Sequence, residues 1–122
     1  MARILLAEDD DSMRDFLAKA LGRAGHEVTS VADGEDGLDA LGEQSGSYEL
    51  LLTDIVMPGV DGIELARRAA EVDPKLKIMF ITGFAAVALN AGNAAPKDAK
   101  VLSKPFHLRD LVDEVAKVVD AA

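Results

Sequence analysis

The fold of this 122-residue chain is decided by one stretch, Leu50-Leu51-Leu52-Thr53-Asp54-Ile55-Val56-Met57-Pro58-Gly59-Val60-Asp61-Gly62. Its leucines form a short apolar run without polar alternation, which is typical of a parallel strand buried on both faces. A carboxylate ends the run, and an unpaired carboxylate is costly to bury beside such a strand. The stretch therefore predicts a central strand that places Asp54 at one end of a sheet.

Four other segments predict strands of the same sheet. Short apolar runs lie at residues 4–7, at 78–81 and, more briefly, at 101–102. The segment 26–31 is more polar and richer in β-branched residues, so it predicts an edge strand.

Apolar residues at helical spacing predict helices between these strands. The clearest stripe has Asp11 or Ser12 as its N-cap and Gly25 as its stop, and it consists of Met13, Phe16, Leu17, Ala20, Leu21 and Ala24. A second clear stripe in 108–119 predicts a final helix, and the patterns at 34–43 and 62–72 are weaker. The segment 84–95 is rich in alanine but is interrupted by Asn90, Gly92 and Asn93, so a short and marginal helix is expected there.

Five strand–helix repeats indicate an α/β fold with helices on both faces of a five-stranded parallel sheet. Right-handed crossovers and the polar second and fifth strands favour the flavodoxin-like order 2-1-3-4-5. The length suits one domain, residues 1–122, without an output domain. We therefore expect any signal to leave through the surface of this domain.

Composition excludes several classes of function. The 22 acidic and 13 basic residues give a net charge of −9, which argues against binding to nucleic acid or to an anionic membrane. The absence of cysteine excludes disulfides and thiol catalysis and fits a cytoplasmic location. The sequence contains neither a membrane-spanning apolar segment nor an export signal. A divalent cation or a basic partner is the more natural counterpart.

Polar residues close the predicted strands at one rim of the sheet. The first strand is followed by Glu8, Asp9 and Asp10, the third ends at Asp54, and the fourth and fifth are closed by Thr82, Ser103 and Lys104. Each group has an ordinary explanation, since acidic residues before a helix often cap it. Three acids and a lysine at the same end of neighbouring strands nevertheless indicate a site. The acidic pair is Glu8 with Asp9 or Asp9 with Asp10. Strand length and the position of Met13-Arg14 favour the former, which leaves Asp10 and Asp11 as cap residues.

This set of residues suits phosphoryl transfer. Clustered carboxylates repel one another, and Mg²⁺ relieves that repulsion with oxygen ligands. Asp54 is then an ionised nucleophile that needs no general base. Lys104 would neutralise the transferred oxygens and the Thr82 hydroxyl would donate a hydrogen bond to them. The expected product is an aspartyl phosphate.

The sequence resembles the receiver domain of two-component response regulators over essentially its whole length. The resemblance rests on Ile4 to Asp10, on Leu52 to Gly62, on Thr82-Gly83 and on Lys104-Pro105-Phe106. It implies Asp54 as the phospho-acceptor and Mg²⁺ bound by Glu8, Asp9, Asp54 and the main-chain carbonyl of Val56. It further implies Thr82 and Lys104 as switch residues and a cis bond before Pro105.

One departure from the family concerns the switch. Many receivers carry an aromatic residue three positions before the lysine, where this chain has Val101. Phe84 is an alternative aromatic residue, although a buried position in the predicted fourth helix suits it better. Val56 and Phe84 are both apolar and lie two positions beyond Asp54 and Thr82, which predicts shielding of the phosphoryl group and slow self-hydrolysis.

The resemblance implies a signalling switch whose only catalysis is its own phosphorylation and slow dephosphorylation. A histidine kinase or a histidine phosphotransfer protein would supply the phosphate, and a partner would contact the face of the predicted fourth helix, fifth strand and final helix. Residues 1–12, 81–90 and 100–112 resemble stand-alone alphaproteobacterial cell-cycle receivers. This likeness implies an adaptor whose unphosphorylated form primes the Clp protease for substrate degradation. The alternatives are a chemotaxis-type motor regulator, a phosphorelay intermediate, and a phosphatase with an aspartate nucleophile. Such a phosphatase would require a second acidic residue two positions after Asp54, where this chain has Val56.

Overall fold

The computed structural model describes residues 2–43, 46–82, 100–103 and 106–120, and within these ranges it contains five strands and four helices. The strands are β1 (Arg3–Ala7), β2 (Glu27–Val31), β3 (Leu50–Asp54), β4 (Lys77–Thr82) and β5 (Lys100–Ser103). The helices are α1 (Asp11–Arg23), α2 (Gly34–Glu43), α3 (Gly62–Val72) and the C-terminal helix (Leu108–Asp120).

The sheet confirms the predicted architecture. All neighbouring strands are parallel, and their order is β2-β1-β3-β4-β5. The predicted edge strands, β2 and β5, lie at the two edges, and every residue of the central strand β3 is buried. A strand buried on both faces has no solvent side, which explains its unbroken apolar run.

Two apolar layers enclose the sheet. On one face, strand residues such as Leu5 and Phe80 pack with Leu41 of α2 and Leu65 of α3. On the other face, the alternate strand residues pack with α1 and the C-terminal helix; this layer contains Ile4, Leu6, Leu50, Leu52, Met79, Ile81, Leu17, Leu21, Leu111 and Val115. Helices therefore cover both faces, as predicted, and they leave the ends of the strands open.

The helix boundaries agree closely with the sequence pattern. The segments 34–43 and 62–72 coincide with α2 and α3, and the final helix extends one residue beyond the predicted stripe. The predicted helix at 84–95 lies outside the described residues. Within the described ranges, every helix is too short or too polar to serve as a membrane span.

Two details of α1 correct the sequence analysis. The N-cap is Asp10, whose side chain accepts a hydrogen bond of 2.8 Å from the Met13 N–H. The assignment of the cap to Asp11 or Ser12 was wrong, whereas the expectation that Asp10 is a cap residue is confirmed. Phe16 is 50% exposed although its spacing placed it on the apolar face. At 100° per residue, Phe16 falls at the border of the stripe centred on Leu17 and Ala20, where the sheet no longer covers it.

Candidate functional site

Two acidic residues directly follow β1. Glu8 is 1% exposed, and its N–H donates a hydrogen bond of 3.1 Å to the carbonyl of Val31, the last residue of β2. Asp9 is exposed. The next residue, Asp10, caps α1, so the turn between strand and helix presents Glu8 and Asp9 at the end of the sheet.

Asp54 is the last residue of the buried strand β3. Its side chain lies at the same end of the sheet because Ala7 is paired with Thr53 and Ile81 with Asp54. It is only 8% exposed, and its Oδ1 accepts a hydrogen bond of 3.3 Å from the Val56 N–H. The Thr53 hydroxyl donates to the Asp54 carbonyl at 2.9 Å, which fixes the backbone at this point.

The structure brings three of the predicted site residues together. One carboxylate oxygen from each of Glu8, Asp9 and Asp54 lies within 4.8 Å of the other two. This geometry identifies Glu8 with Asp9, rather than Asp9 with Asp10, as the acidic pair beside Asp54. Oxygens at this spacing, on side chains of which two are buried, repel one another strongly unless a cation or protons offset their charge.

The segment from Ile55 to Asp61, which we call the acceptor loop, carries the chain from β3 to α3. It closes through a hydrogen bond of 2.8 Å from the Gly62 N–H to the Ile55 carbonyl. Gly59 adopts a φ of +73°, a conformation that favours glycine. Asp61 caps α3 by accepting a bond of 2.9 Å from the Glu64 N–H.

Arg14 is a residue of the site that the sequence analysis did not single out. From the first turn of α1 its Nη1 donates to the Glu8 carbonyl at 3.0 Å, and its Nη2 donates to Asp11 at 2.6 Å. The guanidinium group thus fixes the main chain of Glu8 and adds positive charge next to the four consecutive acidic residues 8–11. The only signal in the sequence is an arginine three residues after Asp11, a spacing common to ordinary helical ion pairs.

The remaining predicted residues have different outcomes. Thr82 ends β4, is fully buried and is paired with Ser103 of β5, next to the Asp54 register position. The Val56 side chain is 51% exposed at the rim. Lys104, the bond before Pro105 and Phe84 lie outside the described residues.

The donor set fits a magnesium ion. All three side chains offer carboxylate oxygens, which hard divalent cations prefer, and Mg²⁺ is usually held by one or two carboxylates together with water. Burial of Glu8 and Asp54 leaves Asp9 as the exposed member, so the pocket opens to solvent on one side. Residues 8, 9 and 54 therefore form an acidic pocket that offers the kind of ligand atom Mg²⁺ prefers.

Comparison with known proteins identifies the class of this chain. Residues 4–116 match the family described as response regulator receiver domain. The chain therefore belongs to the response regulator receiver family, whose members act as phosphorylation switches in two-component signalling and take phosphate from histidine kinases.

Individual relatives show which members of this family the chain resembles. The chain is 66% identical over 122 residues, the whole of both chains, to the response regulator receiver protein CpdR of Brucella abortus (strain 2308). Among solved structures it resembles a response regulator receiver protein from Sinorhizobium medicae WSM419, with a TM-score of 0.89, 31% identity and coverage of 98% and 95% of the two chains. It also resembles Thermotoga maritima TrrA, solved with Mg²⁺ and BeF, with a TM-score of 0.84, 30% identity and coverage of 97% and 99%.

Proposed function

We propose that this chain is a switch in which Asp54 accepts a phosphoryl group from a histidine kinase or a histidine phosphotransfer protein. The observation that carries the proposal is the cluster of three carboxylates from β1 and β3 with oxygens within 4.8 Å. Asp54 is its central member, at the end of a strand held rigidly on both sides. A nucleophile positioned in this way loses little orientational freedom when the donor approaches.

The chemical step requires no base. A carboxylate is itself a nucleophile, so Asp54 can attack phosphorus directly. A P–O bond to Asp54 forms as the P–N bond to the donor's imidazole breaks, and the imidazole retains the electron pair. The hydrogen bond from the Val56 N–H to Oδ1 orients the carboxylate for this attack.

Glu8, Asp9, Asp54 and the main-chain carbonyl of Val56 would hold Mg²⁺. When bound there, the ion supplies positive charge against the acids and against the oxygens of the transferred group. Arg14 keeps the Glu8 main chain in place for this task. The proposal also gives Thr82 the role of hydrogen-bond donor to the phosphoryl group and Lys104 the role of its counter-charge.

A small phosphodonor tests the assignment of Asp54. Purified protein incubated with Mg²⁺ and acetyl phosphate is expected to gain the mass of one phosphoryl group. Asp54→Asn is expected to gain none, whereas Asp39→Asn, which changes an exposed acid on α2, is expected to behave as wild type. Equal labelling of all three proteins would contradict the proposal, and repeated turnover of the phosphodonor would favour the phosphatase alternative.

We also propose slow self-hydrolysis of the phosphorylated form. Val56 stands at the rim of the pocket with an apolar side chain, where an acid or amide could orient an attacking water and a valine cannot. The phosphorylated half-life is expected to exceed seconds in Mg²⁺. Val56→Asn is expected to shorten it, and an unchanged half-life in that variant would contradict the role of Val56.

Downstream, we propose an adaptor of the Clp protease that is active when unphosphorylated. The proposal rests on the sequence resemblance to stand-alone cell-cycle receivers and gains support from full-length similarity to CpdR. The proposed contact face consists of the predicted helix at 84–95, β5 and the C-terminal helix. Within it, Val101 on β5 is 45% exposed, as a residue available to a partner must be.

Binding to the ATPase component of the Clp protease tests this role. The unphosphorylated protein is expected to bind more tightly than the phosphorylated protein. Val101→Asp is expected to weaken binding, whereas Val72→Asp is expected to leave it unchanged, because Val72 is similarly exposed, at 48%, but lies on α3. Binding that is independent of phosphorylation, or equally weakened by both substitutions, would contradict the proposal.

A further inference from the structure

The acceptor loop is closed at its base by a contact that only glycine permits. Gly62 opens α3, and a Cβ at this position would overlap the carbonyl oxygen of Asp54 and lie 2.8 Å from the Cα of Ile55. Both atoms belong to the backbone, so neither can rotate away. The start of α3 therefore sits directly against the residue that carries the reactive carboxylate.

A second contact of this kind lies on the outer side of the loop. Gly34 opens α2 and is buried, and a Cβ there would overlap the carbonyl oxygen of Val60 and lie 2.8 Å from the Val60 Cβ. The neighbouring Glu35 approaches Gly59, whose own Cβ would lie 3.3 Å from Glu35 Oε1. The first turn of α2 thus packs against the main chain of the acceptor loop.

Helix α2 has little freedom to retreat from this contact. Gly37 faces the two terminal methyl groups of Leu65 on α3, each 3.2 Å from the position of a Cβ. Leu41, one turn further along the same face, is 2% exposed within the apolar layer. The first turn is also fixed by a hydrogen bond of 2.8 Å from the Asp36 N–H to Asp33. Because tightly packed interiors transmit displacement, an added methyl group at Gly34 moves the loop.

Displacement of the acceptor loop would affect the phosphorylation site because the loop contains Val56. Val56, four residues before Val60, donates its N–H to Asp54 Oδ1 and offers the carbonyl assigned to Mg²⁺. We infer that Gly34 is a positioning residue of the phosphorylation site, which acts through its contact with the carbonyl group and the Cβ of Val60 to hold Val56 beside Asp54. This inference rests on the proposed function of Asp54 and assigns a role to α2, a helix that contributes no side chain to the acidic pocket.

The test compares two alanine substitutions in the same helix. The methyl group added by Gly34→Ala would overlap the Val60 carbonyl oxygen in the acceptor loop, whereas Gly42→Ala adds a methyl group where no atom lies within 4 Å. Gly34→Ala is expected to weaken Mg²⁺ binding, measured by calorimetry with the metal alone, by about tenfold, as substitutions behind metal ligands commonly do. It is also expected to slow labelling by acetyl phosphate. Gly42→Ala is expected to match wild type in both measurements.

A second measurement needs neither metal nor phosphate. In the metal-free protein, Gly34→Ala is expected to shift the NMR amide signals of Val56, Gly59 and Val60, and Gly42→Ala is expected to leave them in place. Should Gly34→Ala fail to fold, Val60→Gly probes the same contact without adding atoms and is expected to lower Mg²⁺ affinity.

The outcomes separate the two proposals. Mg²⁺ affinity and amide signals that are the same in Gly34→Ala and Gly42→Ala, or an unchanged affinity in folded Val60→Gly, would overturn the role of Gly34. A wild-type protein that takes no phosphoryl group would overturn the function proposed for Asp54. In that case the metal-free amide signals still decide whether Gly34 sets the conformation of the acceptor loop.

Discussion

Two groups of carboxylates in this molecule differ in their surroundings. On the outer surface of α3, Glu64 accepts bonds of 2.6 Å from both Arg67 and Arg68, and Arg67 also reaches Glu71 at 2.8 Å. At the carboxyl end of the sheet, Glu8, Asp9 and Asp54 converge on one another, and two of the three are buried. The first group combines acidic and basic side chains on the solvent-facing side of α3, and the second brings three acidic side chains together.

The difference shows what each group does for the protein. Exposed ion pairs contribute little to folding because water and salt screen them, so the α3 group is expected to add little to the free energy of unfolding. Buried acids of like charge oppose folding, and a protein retains them where they bind something. We therefore expect stability to depend on a bound cation in the acidic pocket and not on the α3 surface, which is the matched region.

The largest expected effect is stabilisation of the pocket by Mg²⁺. A ligand that binds only the folded protein raises the free energy of unfolding by about 2.7 kcal/mol at a concentration one hundred times its Kd. We expect this increase in wild type and its loss in Asp54→Asn. Urea unfolding with and without Mg²⁺ measures both.

The α3 group supplies the control for this prediction. Glu64→Gln also removes one acid but leaves the pocket intact, so its response to Mg²⁺ is expected to equal that of wild type. If Mg²⁺ leaves the free energy of unfolding of wild type unchanged, or raises it equally in wild type and Asp54→Asn, the distinction between the two regions is contradicted.

A smaller effect is expected at Arg14, which makes one partly buried hydrogen bond and one ion pair with an exposed acid. Its hydrogen bond to the Glu8 carbonyl is partly buried, whereas its partner Asp11 is exposed. Arg14→Met is expected to lower the free energy of unfolding by about 1–2 kcal/mol, since a charge-assisted bond to a buried carbonyl is lost. Asp11→Asn is expected to cost about 0.5 kcal/mol or less. Equal losses in the two variants, by urea unfolding in metal-free buffer, would show that the exposed bond matters as much as the buried one.

Much of the fold could be predicted from the sequence because burial leaves a local signature. A strand covered on both faces must be apolar throughout, as Leu50 to Leu52 are, and a helix covered on one face must repeat every three or four residues. Strand order follows from edge polarity and crossover handedness, and it places Glu8, Asp9 and Asp54 at one end of the sheet. The acidic pocket was predictable for this reason, from topology together with residue type.

Contacts between distant segments could not be predicted in this way. The hydrogen bond from Arg14 to the Glu8 carbonyl depends on where the backbone turns, and the approach of Gly34 to Val60 joins segments 26 residues apart. The exposure of Phe16 and the choice of Asp10 as N-cap depend on helix rotation and on the first hydrogen-bonded turn, which periodicity locates only to within a residue or two. The predicted roles of Lys104 and Phe84 fall outside the described residues and stay predictions.

The smallest expected effect belongs to the α3 group and appears only in acid. Hydrogen bonds from Arg67, and then from Arg68, lower the pKa of Glu64 from 4.5 to about 2. A lowered carboxyl pKa contributes stability that is fully present above the unfolded value of about 4.5 and is lost as the pH falls through about 2. Because the side chains are exposed, salt is expected to weaken the effect further. The difference in unfolding free energy between wild type and Glu64→Gln is therefore expected to shrink between pH 4.5 and about 2.

Glu114→Gln, whose partner Lys117 lies at 3.4 Å, serves as the control and is expected to show a smaller change. A difference for Glu64→Gln that stays constant across this range would mean that the arginines form no charge-dependent bond with Glu64. The comparison of the α3 group with the acidic pocket would then rest on the pocket alone.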